Sequence, residues 1–196
     1  MLLSASEISE EIGRGRIAIQ PFTPALLRRA TYTLRLANSW MRWKRSEEPI
    51  KMWSQNASQK HLEPIESAPT IILRSGDLVL ASTMEAITIP NDLMGILCGL
   101  SHVARFGLTV TGGSMFIRPG FGVSEPKTLT LELASFNPAP LELEAGMPIC
   151  HLAFMRLTSF MRESGKSIYE NIHAPCPPLL YEDMATVIAS FETRQH

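Results

Sequence analysis

What most restricts this 196-residue chain is its succession of short, alternating, β-rich segments cut apart by Gly and Pro turns. Residues 31–36 put Tyr32, Leu34 and Leu36 on one face, and residues 128–134 set Leu129, Leu131 and Leu133 against Thr128, Thr130, Glu132 and Ala134. Residues 16–20, Thr70–Leu73, Leu78–Thr83, Leu141–Glu144 and residues 149–154 read as further strands. Turns fall at 21–24, 74–77, 137–140 and 145–148, each with Pro or Gly. Many short strands at close spacing predict a mainly β fold, a barrel or jelly roll that leaves few open edges.

Helical text is confined to the two ends. Ser4 with Glu7 three residues on forms a capping-box signal, Ile8 and Ile12 share a face, and Gly13 and Gly15 stop the run, so a short helix spans about residues 5–14. After Pro177 and Pro178, residues Leu180, Met184, Val187, Ile188 and Phe191 recur at helical spacing. The expected organisation is therefore one β domain over residues 1–176 and a C-terminal helical extension, 177–196, packed on it. Residues 44–69 are polar, weakly periodic and contain Pro49 and Pro64, which predicts a long surface excursion.

Composition narrows the function classes. With 45% hydrophobic and 19% charged residues the chain can fill one core. A formal net charge of -1 gives no electrostatic case for nucleic acid. Basic residues between Arg28 and Lys51 interleave with Trp40 and Trp43, but strand and loop positions explain that mix better than base stacking. Cys98, Cys150 and Cys176 are far apart, so neither a disulfide framework nor a zinc site is indicated. The first residues lack the pattern of a signal peptide, and no uncharged apolar run approaches the ~18 residues that span a bilayer. A cytoplasmic protein with no membrane contact is expected.

Loop groups carried on strands concentrate between Gly99 and Glu132. Alternation alone reads Glu132 as a carboxylate on the wet face of an antiparallel strand. Gly112 and Gly113 fit either a tight hairpin turn or a close approach of main chain to a ligand. His151 reads as a core-edge or interface residue rather than a catalytic one, having no carboxylate near it in sequence.

Three segments of this stretch also carry a family resemblance. Gly99-Leu100-Ser101-His102-Val103-Ala104-Arg105-Phe106-Gly107-Leu108 resembles the Gly-Arg-Ser-Ser-Leu-Ala/Gly-Arg-Leu/Phe-Gly-Leu signature of dCTP deaminases. Ile117-Arg118-Pro119-Gly120-Phe121 resembles their Ile-Asp-Pro-Gly-Phe corner, and Leu129-Thr130-Leu131-Glu132-Leu133 the strand of their catalytic glutamate. Residues 85–93 and 145–154 match scaffold motifs of the same family, and the likeness extends over about residues 1–169.

The resemblance implies the dUTPase-like distorted β-barrel or jelly roll, a pyrimidine nucleotide as ligand, and a homotrimer with sites shared between subunits. It implies deamination of a cytosine deoxynucleotide, dCTP or a close relative, without zinc. Glu132 is then the general acid/base, helped by Ser101 and Arg105. Thr111, Gly112, Gly113 and Ser114 would meet the base and Tyr169 the substrate, while His102, Arg118 or Lys166, which depart from the family pattern, would supply a replacement grip on the phosphate end. Magnesium would enter only through substrate phosphates.

Departures cluster at the phosphate end. Leu100 replaces an arginine, His102 a serine, Thr33 an acid linked to magnesium, Arg118 an aspartate and Phe116 an arginine, and about four extra residues lengthen the loop within 122–127. A triphosphate normally needs an arginine fork or a metal. Two other readings therefore stand beside the deaminase: a non-catalytic nucleotide-binding or regulatory protein, and a dUTPase-like pyrophosphatase.

Overall fold

The computed structural model describes residues 1–160 and 174–185. Helix α1 (Ala5–Gly13) opens on the predicted capping box: the Ser4 side chain accepts from the Glu7 amide, and the Glu7 carboxylate accepts from the Ser4 amide. Ile8 and Glu11 are its buried residues, and Arg16 donates to Glu11 at 2.5 Å and to Asp92 at 2.7 Å, so the buried acid is neutralised as it enters the core.

Twelve strands follow: β1 (Ala18–Gln20), β2 (Tyr32–Arg42), β3 (Glu66–Ser67), β4 (Thr70–Leu73), β5 (Leu78–Thr83), β6 (Ala86–Thr88), β7 (Leu93–Gly99), β8 (Leu108–Thr109), β9 (Phe116–Ile117), β10 (Thr130–Ser135), β11 (Leu141–Glu144) and β12 (Pro148–Arg156). Helix α2 (Ser101–Arg105) joins β7 to β8, and α3 (Leu180–Asp183) lies in the tail. The main sheet runs β8–β10–β5–β2–β12–β7–β9, with β3 added to β2, while β1 pairs β6 and β11 pairs β4 in two small sheets. All named strand pairs are antiparallel. Main-sheet, small-sheet and α1 residues share one hydrophobic core, centred on Tyr32, Leu34, Leu73, Leu131 and Phe154. The mainly β fold expected from strand text is what forms, as a curled half-barrel sheet.

Three elements differ from the expectation. Strand β2 continues six residues past the periodic text, because Trp40 and Met41 keep burying apolar surface against β5 and Leu62. Residues 44–69 are not simply a surface excursion: β3 pairs β2, Leu62 bridges Trp43, and Leu62, Met41 and Leu80 make a second small core. Strand β7 gives little sequence signal because Gly95 and Gly99 dilute its β propensity. Gly95 packs closely there, since a Cβ would sit 2.6 Å from the Ile89 Cδ1 and 3.0 Å from the Ile117 Cβ.

The tail helix expected over 177–196 is described only as Leu180–Asp183. That described part lies on the body through Ser58 donating to the Pro178 carbonyl at 3.4 Å and the Asn56 amide donating to Glu182 at 3.2 Å. No helix of the described residues is long and apolar enough to cross a membrane. Cys98, Cys150 and Cys176 are free thiols.

Candidate active site

Strand β10 carries Glu132 into the wall of a cleft of about 680 Å³, a size suited to a small organic ligand. The alternation works as read from sequence: Leu131 and Leu133 are fully buried, and Glu132 faces the other way. That other face is half-buried rather than fully wet, because the cleft has apolar walls from Leu80, Leu97 and Phe121. Burial pushes the Glu132 carboxyl up from 4.5 to about 7, with its own amide pulling slightly the other way. A carboxyl tuned this close to neutrality can take and return a proton in one catalytic cycle.

The residues 111–114 form a turn closed by the Ser114 amide donating to the Thr111 carbonyl at 2.8 Å. Gly112 and Gly113 have φ of +50° and +120°, a region that glycine enters without strain. Thr111 bridges Glu132 in parallel fashion, and a Cβ on Gly112 would fall 2.8 Å from the Glu132 Cβ and 3.4 Å from its Oε2. The tight-turn reading of the glycine pair holds, and the turn lays main chain against the Glu132 side chain. Ser114 and Arg118 border the same cleft.

Ser101, His102 and Arg105 lie elsewhere on the same chain. All three are exposed on α2, whose Val103 is its buried anchor, and none borders the cleft. Helix α2 is fastened beyond the end of β10: the Phe136 amide donates to the Gly107 carbonyl at 2.8 Å and Asn137 Nδ2 to the Phe106 carbonyl at 2.9 Å. Residues 132 and 136 are separated by about 13 Å of strand. Lys166 and Tyr169 fall outside the described residues.

The family's magnesium-linked acid position is filled by Thr33, which is 2% exposed and shares a 3.2 Å hydrogen bond with His151. His151 is thus tied into the β2–β12 pair, and burial with the nearby Arg28 charge holds its imidazole below the ordinary value. Glu85, buried completely, accepts from the Arg35 amide at 2.8 Å and Arg35 Nε at 2.7 Å, so this pair fixes the β5–β6 corner. Among the described residues no group of three His, Cys, Asp or Glu side chains could hold a metal ion.

One cleft residue carried no sequence signal. Lys127, at the end of the lengthened loop, is 5% exposed and borders the cleft; a lysine next to a proline in loop text gives no hint of burial.

Comparison with known proteins bears on the family and the fold. A family model described as dCTP deaminase-like matches residues 2–157. A protein of Mycobacterium avium named "dCTP deaminase, dUMP-forming" is 33% identical over 195 residues, covering 95% of this chain and 99% of its own. A protein of the same name from Methanospirillum hungatei is 35% identical over 156 residues, covering 79% of this chain and 80% of its own. In structure, the 2'-deoxycytidine 5'-triphosphate deaminase of Agrobacterium tumefaciens superposes with a TM-score of 0.59 at 15% identity, over 78% of this chain and 47% of that one, which is a likeness of fold. With the family model spanning most of the length, and relatives matched nearly end to end, the chain belongs to the dCTP deaminase-like family.

Proposed function

We propose that this protein deaminates dCTP hydrolytically, without zinc, and that Glu132 is the general acid/base. The observation that carries the reading is a carboxyl held near pH 7 by burial in a nucleotide-sized cleft, with main chain of residues 111–114 packed against its side chain. Glu132 takes a proton from water as its oxygen bonds to C4 of the cytosine. It hands that proton to ring N3, then takes the second proton from the new C4 hydroxyl and delivers it to the amino nitrogen, so that the C4–N bond breaks, the C4 carbonyl forms and ammonia leaves. The turn at Gly112 and Gly113 offers backbone groups to the base edge, and Ser114 flanks it.

Ser101 and Arg105 serve as the remaining catalytic partners and His102 as a substrate contact, all supplied by a neighbouring copy in a homotrimer. Their exposure on α2, away from their own chain's cleft, supports that arrangement. Tyr169 belongs to the substrate grip by family resemblance, and Lys166 supplies a replacement contact at the phosphate end. Magnesium accompanies the phosphates rather than a ligand set of the chain, in keeping with Thr33 at the acid's position. A cytoplasmic location suits a nucleotide substrate.

The relatives' name adds a second step. A route from dCTP to dUMP consumes two waters, the first releasing ammonia and the second pyrophosphate, so the deaminase and pyrophosphatase readings of the sequence join in one cleft. Incubation of the protein with dCTP, reading ammonia, pyrophosphate and the nucleotide product together, tests this. Ammonia and pyrophosphate in equal amounts support the full route, ammonia with dUTP supports deamination alone, and no ammonia refutes the reading.

A further inference from the structure

We propose that Lys127 is an anion-binding residue of the cleft and that, with Arg118, it holds the polyphosphate tail of the nucleotide whose base lies at Glu132. This rests on the reading of Glu132 given above. Lys127 is 5% exposed, yet among the described residues no carboxylate lies within 4.0 Å of its ammonium and no hydrogen bond engages its side chain. Its nitrogen is also absent from the fully buried polar atoms that lack partners, which are Trp43 Nε1, His61 Nε2, Asn91 Oδ1 and Asp92 Oδ1. A buried stem with an ammonium that still meets solvent means the charge opens into the space that Lys127 borders, the Glu132 cleft. A nearly buried lysine without a counter-charge is costly and uncommon. An anionic ligand removes that cost.

Backbone pairing fixes where Lys127 lies. Residues 129–134 pair with β5, but Lys127 exchanges both backbone hydrogen bonds with Ile87 of β6, at 2.8 and 3.0 Å. The burial alternation of Leu129 and Leu131 continues to Lys127 across this change of partner, and Lys127 and Leu129 both border the cleft. Five residues separate Lys127 from Glu132, at most ~17 Å of extended chain, a span comparable to that between the base and terminal phosphate of an extended nucleoside triphosphate. Arg118 borders the same cleft.

The tail acid Asp183 also borders the cleft, but on the other side. Its neighbour Pro178 adjoins a second pocket with Trp43 and Leu78, and Leu78 pairs with Ala134, beyond Glu132 in the direction away from Lys127. Positive charge therefore marks one end of the cleft. The loop that lengthens this chain between Phe121 and Leu129 delivers it, in the cleft that Phe116, standing in place of an arginine, also borders.

Binding calorimetry in a Glu132→Gln background, with dCTP, dCMP and deoxycytidine, tests the assignment against added Lys127→Met and Lys127→Arg. Loss of one charged contact predicts that Lys127→Met weakens dCTP roughly 10- to 100-fold. Deoxycytidine binding stays unchanged, and Lys127→Arg retains most of the dCTP affinity. Equal weakening of all three ligands, or an unchanged dCTP affinity, overturns the proposal. If Lys127→Met does not fold, inorganic tripolyphosphate decides with the parent protein and Lys127→Arg: salt-sensitive thermal stabilisation of both upholds the assignment, and none overturns it. Tripolyphosphate has no base, so this arm stands or falls independently of deamination.

Discussion

Replacing Gly112 by alanine separates the two things that this glycine does. The new Cβ meets the Glu132 Cβ at 2.8 Å and its Cγ at 3.2 Å, inside ordinary carbon contact, and the backbone stays at φ +50°. Left-handed backbone costs a non-glycine residue about 1–2 kcal/mol, and overpacking adds about 1–3 kcal/mol. The sum, about 2–5 kcal/mol, corresponds to a fall in Tm of roughly 4–20 °C in a chain of this size. Gly15 isolates the first contribution: at φ +69° with nothing within 4 Å, Gly15→Ala bears the conformational cost alone. Its Tm should fall by only about 2–8 °C with turnover intact. Gly112→Ala should further lose on the order of 100-fold in kcat with dCTP, since a carboxylate displaced by a fraction of an ångström no longer meets the attacking water. Thermal unfolding followed by ammonia release measures both effects. Equal Tm losses for the two variants, with Gly112→Ala turning over normally, would refute the contact as a determinant of the site.

Three other outcomes follow from particular groups. Because the folded Glu132 carboxyl keeps its proton to about pH 7 while the unfolded one releases it near 4.5, the native state binds more protons in that window and loses stability as pH rises through it. Glu132→Gln removes this loss, so its stability advantage over the parent should grow by about 1–2 kcal/mol from pH 5 to pH 8, after allowance for the carboxyl's partial solvation; an advantage independent of pH contradicts the burial argument. Glu85→Ala strands Arg35 and should cost about 3–5 kcal/mol in urea unfolding, whereas a loss under 1 kcal/mol would show that solvent replaces the pair. Refolding inactive Arg105→Ala and Glu132→Gln chains together should restore activity in about a quarter of the sites if neighbours share them; no recovery would place both residues in one chain's site.

Strand text was legible where burial on one face enforced the period, as in β10, and where β-forming residues run together, as in Leu78–Thr83, buried on both faces. It failed at β7, where Gly95 and Gly99 serve close packing instead of propensity, and around Leu62, whose burial depends on Trp43 and Met41 arriving from twenty residues upstream. The candidate site divided the same way. Glu132 was found by its strand and its family pattern, but alternation alone called its face wet, since the apolar walls come from Leu80, Leu97 and Phe121 on other segments. Lys127 was invisible because a lysine in loop text gives no apolar signal, although the burial alternation of Leu129 and Leu131 continues to it across the change of partner to Ile87.

The central claim is that the Glu132 carboxyl moves the protons of deamination, and the most direct measurement is ammonia release from dCTP by the parent and by Glu132→Gln across pH. The account predicts steady release by the parent with an ionisation near pH 7, and a loss of 1,000-fold or more, on the order of ~4 kcal/mol of barrier, in the variant. Unchanged release by Glu132→Gln would contradict it.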